Sequence, residues 1–136
     1  MEVTISQAQG RVPVTVMCPH GDLDASNYRD LIAAAQEVIG GGGQYIVLDL
    51  SDTPYLSSSG LVALQSIAAM LRGEDPADLE SGWSALRMVD RDRETGLQQN
   101  LRIVNPQPRV EKVFDMVGFK RFLAIDSDLD TAVASF

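Results

Sequence analysis

Residues 45–64 read YIVLDLSDTPYLSSSGLVAL, and this stretch decides the fold that the sequence predicts. Its first six residues are apolar apart from Asp49, which is typical of a strand buried on both faces of a parallel sheet. A polar turn ending at Pro54 follows, and an amphipathic helical pattern runs on from Leu61. The serines at 57–59 therefore lie between a strand and a helix, where α/β proteins commonly place polar chemistry.

Hydrophobic periodicity continues this alternation along the chain. Two alternating runs near the start predict a hairpin, and helical stripes then alternate with short apolar strands. The predicted fold class is α/β, with a small mixed, mostly parallel β-sheet packed with about four helices on one face. The predicted strands lie at 3–7, 12–17, 45–50, 101–104 and 122–125, and the helical stripes span 28–39, 61–71, 110–117 and 129–136.

The helix ends carry their own signals, because the first N–H groups of a helix need acceptors and glycine readily ends a helix. The run Gly40 to Gly43 is expected to end the first helix. It does not predict a phosphate-binding loop, since no Gly-Lys-Ser/Thr follows it. The candidate N-cap residues are Asp24, Ser26 or Asn27 for the first helix, Ser57 or Ser58 for the second, and Asp126 or Ser127 for the last.

Composition narrows the possible functions. The 136 residues, 45% of them apolar, suit one domain with its own core. A net charge of −8 argues against binding to nucleic acid or anionic membranes and permits a basic protein partner. Cys18 is the only cysteine and His20 the only histidine, so no internal disulfide or cysteine-based zinc site is expected. With no signal-peptide pattern and no apolar run of about 20 residues, we expect a cytoplasmic protein without a membrane span.

The stretch 73–100 differs from the rest of the chain, because it is acidic and shows little periodicity. We expect an acidic loop insertion at about 73–96 within a single domain spanning 1–136. The only tryptophan, Trp83, is expected to anchor this loop on the body of the domain. A tolerated or regulatory insertion is favoured over a catalytic one, since the stretch contains no metal-binding or nucleophile constellation.

The serine cluster allows three hypotheses. Ser57 or Ser58 can cap the following helix, which accounts for one hydroxyl better than for three. A catalytic serine is disfavoured, because Leu56 stands where a G-x-S-x-G elbow has its first glycine. Alternatively, Ser58 receives a phosphate, whose charge of about −1.5 to −2 is tolerated at a helix N-terminus.

Three motifs in this order resemble one family. The segments are GDLDASN (21–27), YIVLDLSDTPYLSSSGLVAL (45–64) and LRIVNPQPRVEKVFDMVGF (101–119), the last continued by FLAIDSDLDTAV (122–133). Together they are similar to a STAS domain of the bacterial anti-sigma-factor antagonist type. The resemblance covers nearly the whole chain apart from the insertion.

The resemblance implies a cytoplasmic, non-enzymatic protein of a partner-switching circuit, with no catalytic residue, metal or cofactor. In such circuits the unphosphorylated antagonist binds an anti-sigma factor that is also a serine kinase, and this frees the sigma factor. Phosphorylation of the antagonist releases it, and a PP2C-type phosphatase reverses the step. Other family members are phosphorylation-independent scaffolds or subunits of transport or signalling complexes, and this alternative stays open.

The resemblance also implies roles for individual residues. Aligned through Gly60 and Leu61, the phosphate acceptor is Ser58. Ser57 stands where an acidic residue often precedes the acceptor, so Ser57 and Ser59 are the fallback acceptors. The residues expected to contact the partner are Asp24, Asn27, Ser57, Ser59, Gly60 and Leu61, with Asp22 and Asp49 as weaker candidates.

Overall fold

The computed structural model describes residues 1–73 and 100–136. At its centre is a five-stranded sheet whose strands, in both chain and spatial order, are β1 (Val3–Gln9), β2 (Pro13–Pro19), β3 (Ile46–Asp49), β4 (Leu101–Val104) and β5 (Ala124–Asp126). β1 pairs antiparallel with β2, and each later strand pairs parallel with the one before it. The predicted hairpin and the mixed, mostly parallel sheet are thereby confirmed.

Four α-helices and one 3₁₀ turn accompany the sheet in the described residues. They are α1 (Tyr28–Gly40), α2 (Ser58–Leu71), α3 (Pro108–Val117), the 3₁₀ turn (Phe119–Arg121) and α4 (Leu129–Ala134). The glycine run ends α1 as predicted, and the N–H groups of Gly41, Gly42 and Gly43 donate to carbonyls of its last turn. These donors are already used within the chain, which agrees with the absence of a phosphate-loop pattern.

Two apolar cores lie on opposite faces of the sheet. Successive strand residues point to opposite faces, so Val47 belongs to one core and its neighbours Ile46 and Leu48 to the other. Residues of α1, α2 and α3 fill the larger core, whereas Ala132 and Val133 of α4 pack with Val47 in the smaller one. The four predicted helices are present, but the expectation that all lie on one face is wrong. Because the central strands are apolar at consecutive positions, both faces need a cover.

The 3₁₀ turn shifts the start of the last strand, which was predicted at 122–125. The N–H groups of Phe122 and Leu123 both donate to the carbonyl of Phe119, at 2.9 and 2.8 Å. These two residues therefore close a helical turn and bury their side chains before β5 begins at Ala124. Periodicity could not separate these states, since a short apolar run fits either a strand or a buried turn.

The cap of α4 is also displaced from its prediction. Asp128 caps this helix, and its Oδ2 accepts hydrogen bonds from the N–H and the hydroxyl of Thr131 at 3.1 and 2.8 Å. The predicted caps were Asp126 and Ser127. Asp126 is instead the last residue of β5, where it pairs with Val104, so the helix can begin only later.

Most of the predicted insertion, including Trp83, lies outside the described residues. The single domain spanning 1–136 and the insertion at 73–96 therefore stay predictions. Within 1–73 and 100–136, no helix is long and apolar enough to cross a membrane.

Candidate functional site

Two loops meet beyond the carboxyl ends of β2 and β3. Leu23 of the β2–α1 loop forms a parallel bridge with Leu56 of the β3–α2 loop. The N–H of Ser57 donates to the Leu23 carbonyl at 2.9 Å, and both leucine side chains are buried. The bridge brings together the segments that carry Asp24, one residue after Leu23, and Ser58, two residues after Leu56 and at the first position of α2.

Gly60 makes this close approach possible. A Cβ at this position would lie 2.7 Å from the Leu56 side chain and 3.1 Å from the Leu23 carbonyl oxygen. Glycine avoids both contacts because it carries no side chain. Gly60 is buried beneath the bridged leucines, and Leu61 is half-buried against the larger core.

The three serines have different environments. Ser57 occupies the N-cap position of α2, but its side chain makes no capping bond and its buried Oγ has no partner. Ser58 is the first helical residue and is exposed, whereas Ser59 is half-buried. The capping hypothesis is therefore wrong for this helix: Ser57 makes no capping bond, and Ser58 already lies inside the helix. Capping does not explain why the chain presents a hydroxyl at Ser58.

Asp24 is held in place by its own loop. Its Oδ1 accepts hydrogen bonds from the N–H and the hydroxyl of Ser26, at 2.9 and 2.5 Å. These bonds favour the ionised carboxylate and lower the pKa of Asp24 below its ordinary value. Asp24 therefore carries a fixed negative charge next to the leucine bridge.

Asn27 orders the same loop from inside. Its Oδ1 accepts from the Asp24 N–H at 2.9 Å, and its Nδ2 donates to the Asp22 carbonyl at 2.7 Å. Asn27 also occupies the N-cap position of α1, but its side chain makes no capping bond there. Its side chain thus supports the conformation that presents Asp24.

A series of side-chain hydrogen bonds that the sequence did not reveal connects these loops to β1. His20 Nδ1 bonds to Asp52 Oδ2 at 2.5 Å, and His20 Nε2 bonds to Thr4 Oγ1 at 2.7 Å. The Gly21 N–H also donates to the Asp52 carbonyl at 2.9 Å. Both nitrogens of the only histidine are engaged away from Ser58, so a serine hydrolase would have no histidine base. No sequence spacing links residues 4, 20 and 52, because only the sheet brings them together.

The other polar groups near these loops have structural roles. Asp49 Oδ1 accepts from the Ser51 N–H at 3.0 Å, which is the loop-holding role that the sequence allowed. Burial, together with the charges of Asp49 and Asp52, raises the pKa of Cys18, and a raised pKa makes a thiol a poor nucleophile near neutral pH. In the part of the chain that the structure describes, no group of three or more His, Cys, Asp or Glu could hold a metal ion.

The fold and the bridged loops define an α/β domain that presents a serine at the start of a central helix. The family model of the STAS domain matches residues 6–75, just over half of the 136 residues. The chain belongs to the STAS domain family. The matched range contains both loops and the whole of α2.

Individual relatives extend the similarity over nearly the whole chain. BtrV of Bordetella bronchiseptica, named as a candidate anti-sigma factor antagonist, is 24% identical over 136 residues, covering 100% of this chain and 95% of that protein. An anti-sigma factor antagonist from Mycobacterium paratuberculosis has a solved structure with a TM-score of 0.66 at 19% identity, covering 98% of this chain and 93% of that one. The phosphorylated form of the Bacillus cell fate determinant SpoIIAA has a TM-score of 0.54 at 15% identity, with 97% and 96% covered. At these identities the solved structures establish a shared fold.

Proposed function

We propose that this chain is an anti-sigma factor antagonist that binds a kinase-type anti-sigma factor while Ser58 is unphosphorylated. The observation that carries the proposal is the exposure of Ser58 at the start of α2, beside the Asp24 loop. The names of BtrV and of the Mycobacterium relative support this role, and SpoIIAA has been solved in a phosphorylated form.

The environments of the three serines favour Ser58 as the acceptor. A kinase could reach Ser57 only after its buried Oγ had been displaced, and Ser59 is half-buried. A phosphate on Ser58 would lie at the N-terminus of α2, where the helix dipole favours negative charge. The domain would therefore stay folded after modification.

The phosphate would act on binding through its charge. It adds about −1.5 to −2 charges at pH 7 at the first residue of α2, beside the loop that carries the ionised Asp24. A partner whose facing groups are acidic or apolar would then lose affinity through repulsion and desolvation. In this proposal a PP2C-type phosphatase restores binding, the circuit is cytoplasmic, and residues 1–136 act as one domain.

Phosphate mapping tests the acceptor. Incubation with the cognate kinase and ATP should add one phosphate, which mass spectrometry locates on Ser58. The Ser58→Ala variant should take up none, while Ser57→Ala and Ser59→Ala should be modified like the wild type. A phosphate that persists in Ser58→Ala would contradict the assignment.

Binding measurements test the switch itself. Ser58→Asp should weaken binding to the purified anti-sigma factor, whereas Ser58→Ala should bind like the unphosphorylated wild type. If Ser58→Asp binds normally and the kinase adds no phosphate, the alternative of a phosphorylation-independent scaffold or complex subunit is favoured. A pull-down that recovers only proteins of a membrane complex would point the same way.

A further inference from the structure

One exposed flank of α3 carries positive charge next to residues 50–57, the β3–α2 loop, which we call the serine loop because it leads to Ser58. Arg109, Lys112 and Met116 are all exposed, and their spacing of three and four residues places them on one side of the helix. We call these three residues the α3 stripe. Met116 is 77% exposed, more than any other large hydrophobic residue among the described ones.

Tyr55 connects the α3 stripe to the serine loop. The Arg109 Cζ lies 5.5 Å from the centre of the Tyr55 ring, and Tyr55 is itself 40% exposed. Tyr55 precedes the leucine bridge and accepts a hydrogen bond from Leu23 N–H at 3.0 Å through its carbonyl. Gln107 Nε2 adds a second tie by donating to the Ser51 carbonyl at 2.9 Å. The start of α3 is therefore held against the loop that presents Ser58.

Neither cation of the α3 stripe is part of an ion pair within the described residues. The two carboxylates of this helix, Glu111 and Asp115, lie on the opposite flank and pair with Lys120 at 2.9 and 3.0 Å. No carboxylate in residues 1–73 or 100–136 forms an ion pair with Arg109 or Lys112. The Tyr55 ring orders the Arg109 guanidinium without neutralising it, which reduces the entropy that binding must remove.

We infer that the α3 stripe, together with Tyr55, is a second contact region for the protein that docks on Ser58. Its occupant is an acidic segment of that partner, with carboxylates facing Arg109 and Lys112 and an apolar side chain against Met116. This inference rests on the proposed function, since it extends the same docking surface from α2 onto α3.

The α3 stripe is positively charged on a protein whose net charge is negative, and this contrast can orient a partner. The chain has a net charge of −8, so a basic partner could approach it in many orientations. A local cationic stripe beside the serine loop favours the one orientation in which an acidic segment of the partner faces α3. Complementary charges at an interface select the binding register and speed association in this way.

The test is a set of charge reversals measured against the purified anti-sigma factor. Arg109→Glu and Lys112→Glu should each weaken binding by about tenfold at low salt, mainly through slower association. The loss should shrink as salt is raised, because exposed charges are then screened. Tyr55→Ala should weaken binding less, since it removes the support of Arg109 and leaves the charge in place.

Arg11→Glu is the matched control. It makes the same change in net charge, but Arg11 lies in the β1–β2 turn, at the end of the sheet away from the serine loop. The affinity of the Arg11→Glu variant for the anti-sigma factor should stay close to that of the wild type. An acidic residue of the partner changed to Arg should restore binding to Arg109→Glu.

The outcomes separate the two proposals. If the wild type does not bind the anti-sigma factor, or Ser58→Asp binds normally, the proposed function fails. If Ser58→Asp weakens binding but both α3 variants behave like Arg11→Glu, only the second contact region is overturned. The second contact region is also overturned if the α3 substitutions change affinity only when Ser58 is phosphorylated. Arg109 would then contact the phosphate of its own chain rather than the partner.

Discussion

At the scale of single residues, the exposure of Ser58 depends on the small residues that surround it at the start of α2. Gly60 lets the Leu23–Leu56 bridge lie directly over the first turn of α2. The Oγ of Ser57 is buried there without a hydrogen-bond partner, whereas the next residue, Ser58, is exposed. The position of Ser58 is therefore set by the residues packed beneath it.

Gly60→Ala tests this dependence. The added methyl group would press on the Leu56 side chain and the Leu23 carbonyl, and we expect a loss of about 1–3 kcal/mol in unfolding free energy. Urea unfolding measures the loss. Weaker partner binding should accompany it, because the bridge must shift.

Gly40→Ala is the control for the same chemical change. Gly40 is the last residue of α1, is exposed, and has open space where a Cβ would lie. Alanine should be neutral there or stabilise the protein by up to about 1 kcal/mol. Equal stability of the two variants would contradict the packing role of Gly60.

At the scale of single elements, α4 shows how a short helix is held in place. It has only six residues, too few to be stable alone in water. Packing of Ala132 and Val133 on the sheet and the Asp128 cap compensate for this. The bonds from Thr131 lower the pKa of Asp128, so the carboxylate is favoured in the folded state.

The cap should make stability depend on pH. A lowered pKa in the folded state stabilises the protein above the unfolded pKa, and this contribution is lost as the pH falls through the lowered value. Asp128→Ala should therefore unfold at lower urea than the wild type at pH 7, and the difference should narrow in acid. Asp128→Asn should keep part of the cap and lose the pH dependence.

Asp130→Asn serves as the comparison for the Asp128 variants. Asp130 is exposed and lies in the first turn of the same helix. The Asp130→Asn variant should change the free energy of unfolding less than Asp128→Ala does at pH 7. If the Asp128→Ala difference stays constant with pH, the carboxylate is not the source of the cap's stability.

At the scale of the whole molecule, the sheet separates two apolar cores and contributes side chains to both. Three helices cover the larger core, and α4 covers the smaller one. Tyr45 and Phe136 extend the smaller core, with their ring centres 5.2 Å apart. Stability therefore depends on both faces, although the bridged loops lie at one end of the sheet.

Val133→Asn tests the second core. Placing an amide where Val133 is 8% exposed should cost about 3 kcal/mol, from lost apolar burial and an unsatisfied polar group. Ala134→Asn, at the exposed next position of α4, should change the unfolding free energy by less than about 0.5 kcal/mol. Equal effects of the two substitutions would argue against packing of α4 on that face.

Much of the fold could be predicted because its signals are local. Apolar runs and helical stripes located every strand and helix of the described chain to within a few residues, as for residues 101–104, which form β4. Errors arose where an apolar run fits two states, as at Phe122, or where a cap competes with a strand, as at Asp126. The side of the sheet that α4 covers depends on which strand residues remain uncovered, and no local pattern records this.

The sequence by itself determined the order of strands and helices, the serine at the start of α2, and the glycine that follows it. These features depend on periodicity and on residue types within one short stretch. Only the tertiary structure decided that the Ser57 Oγ is buried while Ser58 is exposed, that His20 joins Thr4 to Asp52, and that Arg109 stacks on Tyr55. The physical reason is that these contacts join residues far apart in the chain, and they form only when the sheet brings their loops to one end.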